Sequence, residues 1–150
     1  MTIEVNGKPV EAYHLIMKKE NALDILNGKK KIEIRAFSKK YNDMFINKEL
    51  YKKFQEYLKD PDGSMELEDC LNETEYIYFT NYNNSWHLIV EVLDIAVYKM
   101  TQEDIEVLNE DYNFHDFDNE WQQYKDLSED EIPVFYGLGL ADVISHEGLI

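Results

Sequence analysis

The 150-residue sequence predicts an α+β fold, a small mixed β-barrel with flanking helices. Strand-like runs at Tyr13–Lys18, Lys31–Arg35, Glu75–Thr80, Trp86–Tyr98 and Pro133–Leu140 are interrupted by segments whose apolar residues recur every three or four positions. The interruptions lack the regular β-α-β spacing of a doubly wound sheet. The longest run also changes phase. Trp86, Leu88, Val90 and Val92 keep one register, while Leu93, Ile95 and Val97 keep the other. That slip predicts a bulge or sharp bend near Val92–Asp94, of the kind that curls a strand around a barrel.

In chain order, Asn6-Gly7 and Pro9 mark a short hairpin or arm. Tyr13–Lys18 reads as a largely buried strand. Lys19–Asn27 reads as a helix closed by Gly28, with Ala22, Ile25 and Leu26 inward. Lys31–Arg35 follows as a strand, then a basic segment to Asn47 containing Lys39, Lys40 and Tyr41. In Asn47–Lys59, Leu50, Tyr51, Phe54, Tyr57 and Leu58 form the stripe of an amphipathic helix, with Lys48, Lys52, Lys53 and Lys59 mostly off it as a solvated face. Asp60-Pro61-Asp62-Gly63 is a turn; it lacks the alternating oxygen ligands of a calcium loop. Ser64–Asn72 reads as a short acidic helix, and Asn81–Ser85 as a polar loop. Thr101 with Asp104 starts a helix running to about Tyr112, with Ile105 and Leu108 inward. Phe114, Phe117, Trp121 and Tyr124 predict a second core-facing helix within residues 113–126. Pro133–Leu140 is the closing strand, which Val143-Ile144 extends.

Composition bounds the function. A hydrophobic content of 44% beside 31% charged residues is that of a globular domain. No apolar run reaches the roughly 20 residues of a membrane span, and Met1-Thr2-Ile3-Glu4 lacks the order of a signal peptide, so the expectation is a cytoplasmic protein. Cys70 is the only cysteine, which excludes an internal disulfide and a cysteine-rich zinc site. His115-Asp116 and Asp118 have no second histidine to support them, so neither a metal site nor any cofactor is expected. The net charge of −16 is unevenly placed: residues 1–59 hold 13 cations against 8 carboxylates, whereas residues 60–150 hold 2 against 23. The acidic half is a solubilising shell, or else a surface that imitates nucleic acid or docks on a basic protein partner. The first half leaves room for a local basic face that binds an anion.

That face centres on Gly28-Lys29-Lys30-Lys31-Ile32-Glu33-Ile34-Arg35, which contains the only arginine in the chain. On a strand, Lys31, Glu33 and Arg35 share one side while Ile32 and Ile34 take the other. A charged front with an apolar back suits the rim of a polar ligand pocket. It equally suits a half-buried strand with solvated charges.

The octet reads G-x-K-x-x-E-x-R and resembles the signature of ASCH domains, relatives of the PUA-like RNA-binding fold. Tyr76–Tyr98 is similar to the family's paired central strands, and Val134–Leu140 to its closing strand. The resemblance implies one ASCH-like domain over residues 1–150, elaborated at 42–72 and 112–130. It implies a β-barrel with a cleft beside the octet that takes RNA, another single-stranded nucleic acid or a nucleotide-like ligand. By position, Gly28, Lys29, Lys30, Glu33 and Arg35 would line that cleft. The chemistry is consistent with this. A lysine offers a mobile cation to phosphate, an arginine a planar fork, and a carboxylate an acceptor for an exocyclic amine. Tyr41, Tyr82 and Trp86 are candidates for base stacking, each competing with a place in the core or rim.

The family also resembles, in some small members, amidohydrolases that remove acyl groups from modified cytidines. Their lysine base matches Lys30 and their acid falls near Glu110, but their threonine nucleophile is replaced by Glu33. A water activated by Lys30 is the remaining route. For a ribonuclease, His14, His87, His115 and His146 are the acid-base candidates, and no two are spaced to imply a shared site. Tight nonspecific duplex binding is disfavoured by the bulk acidity. The sequence therefore favours binding over hydrolysis, with the acidic half as a rival working surface.

Overall fold

In the computed structural model, which describes residues 1–72 and 74–150, the chain opens with a hairpin: β1 (Thr2–Val5) turns at Asn6-Gly7 into β2 (Lys8–Ile16). α1 (Lys19–Leu26) follows, then β3 (Ile32–Ala36), α2 (Lys39–Phe45) and α3 (Lys48–Lys59). A 3-10 turn at Leu67–Cys70 leads to β4 (Tyr76–Thr80) and β5 (His87–Lys99). α4 (Gln102–Tyr112), 3-10 turns at Glu120–Tyr124 and Glu129–Glu131, and β6 (Val134–Glu147) complete the chain. No helix among the described residues is long and apolar enough to cross a membrane.

The strands form one mixed sheet in the order β1-β2-β4-β5-β6-β3, in which β2 and β4 are parallel and every other pair antiparallel. The register of β5 against β6 shifts between Ile89 and Val90, Val90 and Val92, and Val92 and Asp94, where the phase slip in the sequence placed a bulge. The α+β class holds, but the sheet is not closed into a barrel. β3 ladders only with β6 among the described strands, and a side chain of α2 bridges β2 and β6 across the core. Phe45, fully buried, meets Tyr13 of β2 at 5.1 Å and Tyr136 of β6 at 4.9 Å, both in T-shaped contact.

Both faces of the sheet are covered. On one side Leu15, Ile77, Phe79, Leu88, Val90, Tyr136 and Leu138 form the main core, shared with Ala22 and Ile25 of α1. On the other, Ile32, Met100 and Phe135 pack with Ile105 and Leu108 of α4. Thr101 caps α4 by accepting from the Asp104 N–H at 3.3 Å, while the Asp104 carboxylate accepts from the Lys99 N–H at 2.6 Å. A third cluster under the hairpin joins Ile3, Val5, Ala12 and Ile89.

Two predicted elements differ in form, and a third is less buried than an amphipathic stripe suggests. Residues 113–126 are not a second helix. Asn113 is left-handed and ends α4, and the Asn109 amide donates to Phe114 O and to Asp118 Oδ1, fixing a loop. Phe114, Phe117, Trp121 and Tyr124 still face the second core, because their spacing recorded burial rather than conformation. Ser64–Asn72 contains only the short 3-10 turn. α3 forms where its pattern predicts, capped by Asn47, whose side chain accepts from the N–H groups of Glu49 and Leu50, yet none of its residues is buried.

Buried tyrosines give the fold a pH limit. Burial raises the Tyr136 hydroxyl to about 12, and burial with neighbouring charge also raises Tyr98 and Tyr112 above the ordinary range. In the unfolded chain these groups ionise first, so their contribution is complete below about pH 10 and declines as the pH climbs towards the folded values. Denaturant melts between neutral and alkaline pH should show falling stability above about pH 10, less steeply in Tyr136→Phe. A flat profile there would show that these hydroxyls stay solvated.

Candidate functional site: a charged network beside an open cleft

The end of α1 directs the octet. Gly28, at φ +77°, donates its N–H to Ile25 O at 3.1 Å, and Lys29 donates to Asp24 O at 2.8 Å. This closure turns the chain sharply into β3, and only glycine adopts that backbone without strain.

β3 then places Glu33 opposite Leu138 and Arg35 opposite Tyr136. Both partners belong to the main core, so the charged side of the strand faces inward and not outward as a rim. Ile32 and Ile34 face the second core. Glu33 is buried and both its oxygens are taken: Oε1 lies 3.3 Å from Lys30 Nζ, and Oε2 accepts from Arg35 Nη2 at 2.9 Å. Arg35 also donates from Nη2 to Ile16 O at 2.9 Å and from Nη1 to the Tyr41 hydroxyl at 2.8 Å. The guanidinium thus spans the gap between β3 and β2. Burial pulls its pKa down, but Glu33 and the Tyr41 hydroxyl more than compensate, and the net shift is upward. Lys30, Glu33, Arg35 and Tyr41 lie together and satisfy one another.

Two concavities flank this network at opposite ends of α1. A small one of about 180 Å³ is lined by Lys29, Lys30 and Lys31 with Asn21, Asp24 and residues 112–116. The larger, about 560 Å³, is lined by Ile16, Lys18, Lys19, Asn81, Tyr82, Ser85, Trp86 and Gly148, among others. Its size is that of a small-ligand site. Ile16, whose carbonyl Arg35 holds, joins it to the network. Tyr82 is 90% exposed on the loop between β4 and β5 and presents a free ring. Trp86 is buried in the main core and contributes only floor. Tyr41 stacks on Phe45 and serves the network.

Lys18, Lys19, Asn81, Ser85 and Gly148 carried no signal that singled them out in the sequence. Gly148, at φ +79°, lies so close to the loop that a Cβ there would come within 2.4 Å of Ser85 O, and Leu149 behind it is buried in the main core. The lysines were legible in principle. Lys18 is the N-cap of α1 and makes no side-chain cap bond, and Lys19 opens the first turn. Polar caps and carboxylates favour that end of a helix, and cations are unfavourable there. Two lysines at the wrong end are a local inconsistency of the kind functional sites show.

The remaining candidates lie elsewhere. Glu110 is exposed on α4 and lines neither concavity. His115 bonds Asp118 and Asn113, each at 3.0 Å. His14 and His87, which spacing did not connect, both pack on Tyr78, at 5.7 and 5.2 Å between ring centroids, and His14 Nε2 lies 2.6 Å from the Thr80 hydroxyl. Compared with known proteins, the chain matches no family model, no curated protein and no solved structure.

Proposed function

We propose that the chain binds a nucleotide-like ligand, free or as part of a short single strand of RNA or DNA, in the cleft at the start of α1. One observation carries this reading: two exposed lysines stand at the positive end of a helix, inside a cleft of about 560 Å³ that also presents an exposed tyrosine. A phosphate there would accept from the free N–H groups of the first turn and neutralise Lys18 and Lys19. Tyr82 would stack on the base, and Asn81 and Ser85 would offer hydrogen bonds to its polar rim. Arg35 acts as a positioning residue, holding the Ile16 carbonyl at the cleft wall. The likeness of the octet to ASCH domains agrees with such a ligand. Binding is favoured over acyl hydrolysis because Lys30 is engaged with Glu33 and Glu110 stands apart.

Titration calorimetry with nucleoside monophosphates and with short RNA and DNA strands tests the reading. Tyr82→Ala should weaken binding by about 5- to 150-fold, the equivalent of one lost stack of roughly 1–3 kcal/mol. Lys18→Glu/Lys19→Glu should abolish it, and all three side chains are exposed enough that the melting point should barely move. If wild type binds none of these ligands, the proposal fails.

A further inference from the structure

α3 carries a clean apolar stripe, Leu50, Tyr51, Phe54, Tyr57 and Leu58, that the molecule leaves only partly covered. Leu58 is 61% exposed, Tyr51 is 38% exposed, and no residue of the helix is buried. By helical phase, Lys53 borders one side of the stripe and Lys48 the other. Its one substantial support is the Leu67–Cys70 turn, where Cys70 Sγ donates to Leu50 O at 3.5 Å.

The same turn forms a wall of a groove of about 870 Å³. Glu11, Glu68, Asp69, Glu75 and Asp94 line it, no lysine or arginine among the described residues does, and Leu71, Val92 and Ile95 supply its apolar lining; Glu11 alone has a counter-charge, the N-terminal ammonium at 3.3 Å. Leu93, 65% exposed at the β5 bulge, stands on it as well. Burial first, and then Asp94 with other like charges, raise the Glu68 carboxyl, as expected where carboxylates gather without a counter-charge. A half-covered helix bordered by lysines and an acidic groove therefore lie side by side, separated by one short turn.

We infer that this face is the interface of a homodimer, in which the α3 of each copy lies in the acidic groove of the other. Adjacent complementary patches are what a two-fold axis requires: rotation about the Leu67–Cys70 turn sets helix on groove twice, and the contact closes on itself. The apolar stripe meets the leucine, valine and isoleucine of the groove, and the lysines on its borders reach the carboxylates on the rim.

Sedimentation velocity on the full chain across the micromolar range tests this. Wild type should be a dimer at low salt and dissociate as salt screens the charge pairs. Leu58→Glu should be a folded monomer, since the side chain is mostly exposed. The decisive arm is a charge swap. Lys48→Glu/Lys53→Glu and Glu75→Lys/Asp94→Lys should each be monomeric alone, and an equimolar mixture should dimerise, because both helix-groove contacts become complementary again. A wild type that stays monomeric overturns the proposal, and binding of a basic peptide by that monomer would assign the groove to another partner. A dimer that survives Leu58→Glu, or a mixture that stays monomeric, overturns it too.

Discussion

Glu33→Ala is expected to destabilise the protein by about 3–5 kcal/mol, the usual effect of leaving a buried charge without its partner. The variant strands Arg35, whose side chain is 13% exposed, and releases Lys30. For a chain of this length the melting point should fall by roughly 6–20 °C. Arg35→Met should also be costly, because Glu33 keeps only Lys30 and the Ile16 carbonyl loses its donor. The double variant Glu33→Leu/Arg35→Met should recover much of the loss, since an apolar pair removes the desolvation penalty that the charges carry. Urea melts of both singles and the double give the coupling directly. A loss under about 1 kcal/mol in Glu33→Ala would mean that water reaches the network and that it works as a surface ion pair.

Phe45→Ala should cost about 3–5 kcal/mol, the range for emptying a buried aromatic site. Phe45 is fully buried among Tyr13, Tyr41 and Tyr136. Its loss frees Tyr41, and with it one hold on Arg35. Phe54→Ala removes the same ring from α3, where it is only half-buried, and should cost less in the monomer. Equal losses measured at monomeric concentration would show that α3 is packed in solution.

Much of this architecture was legible in the sequence. The hairpin at Asn6-Gly7, the glycine closure of α1 and the bulge in β5 follow from local rules that tertiary contacts did not override. The facing of β3 was not legible. Alternation says that Glu33 and Arg35 share a side, but both sides of this strand are covered, so the pattern cannot say which meets the main core. Closure of the sheet was not legible either: β2 and β3 follow one another in the chain, and nothing in their alternation says that no ladder joins them. The cleft was half visible. Tyr82 stood out in a polar loop, but Lys18 and Lys19 were passed over as ordinary charges although the helix was expected to begin at Lys19.

An open sheet leaves backbone donors and acceptors unmatched along its rims, and such rims recruit strands from other molecules. β3 is one of those rims, laddered on one side only. It is five residues long and carries two inward charges fastened to each other. A register slip of one residue would turn Ile32 and Ile34 towards the Ile16 carbonyl and Tyr41 hydroxyl that Arg35 now meets, and press Glu33 and Arg35 against Met100 and Phe135. An incoming strand finds a short, charged template with a single allowed alignment, already satisfied from within. The network that complicates the core therefore also guards the chain against polymerising through its own sheet.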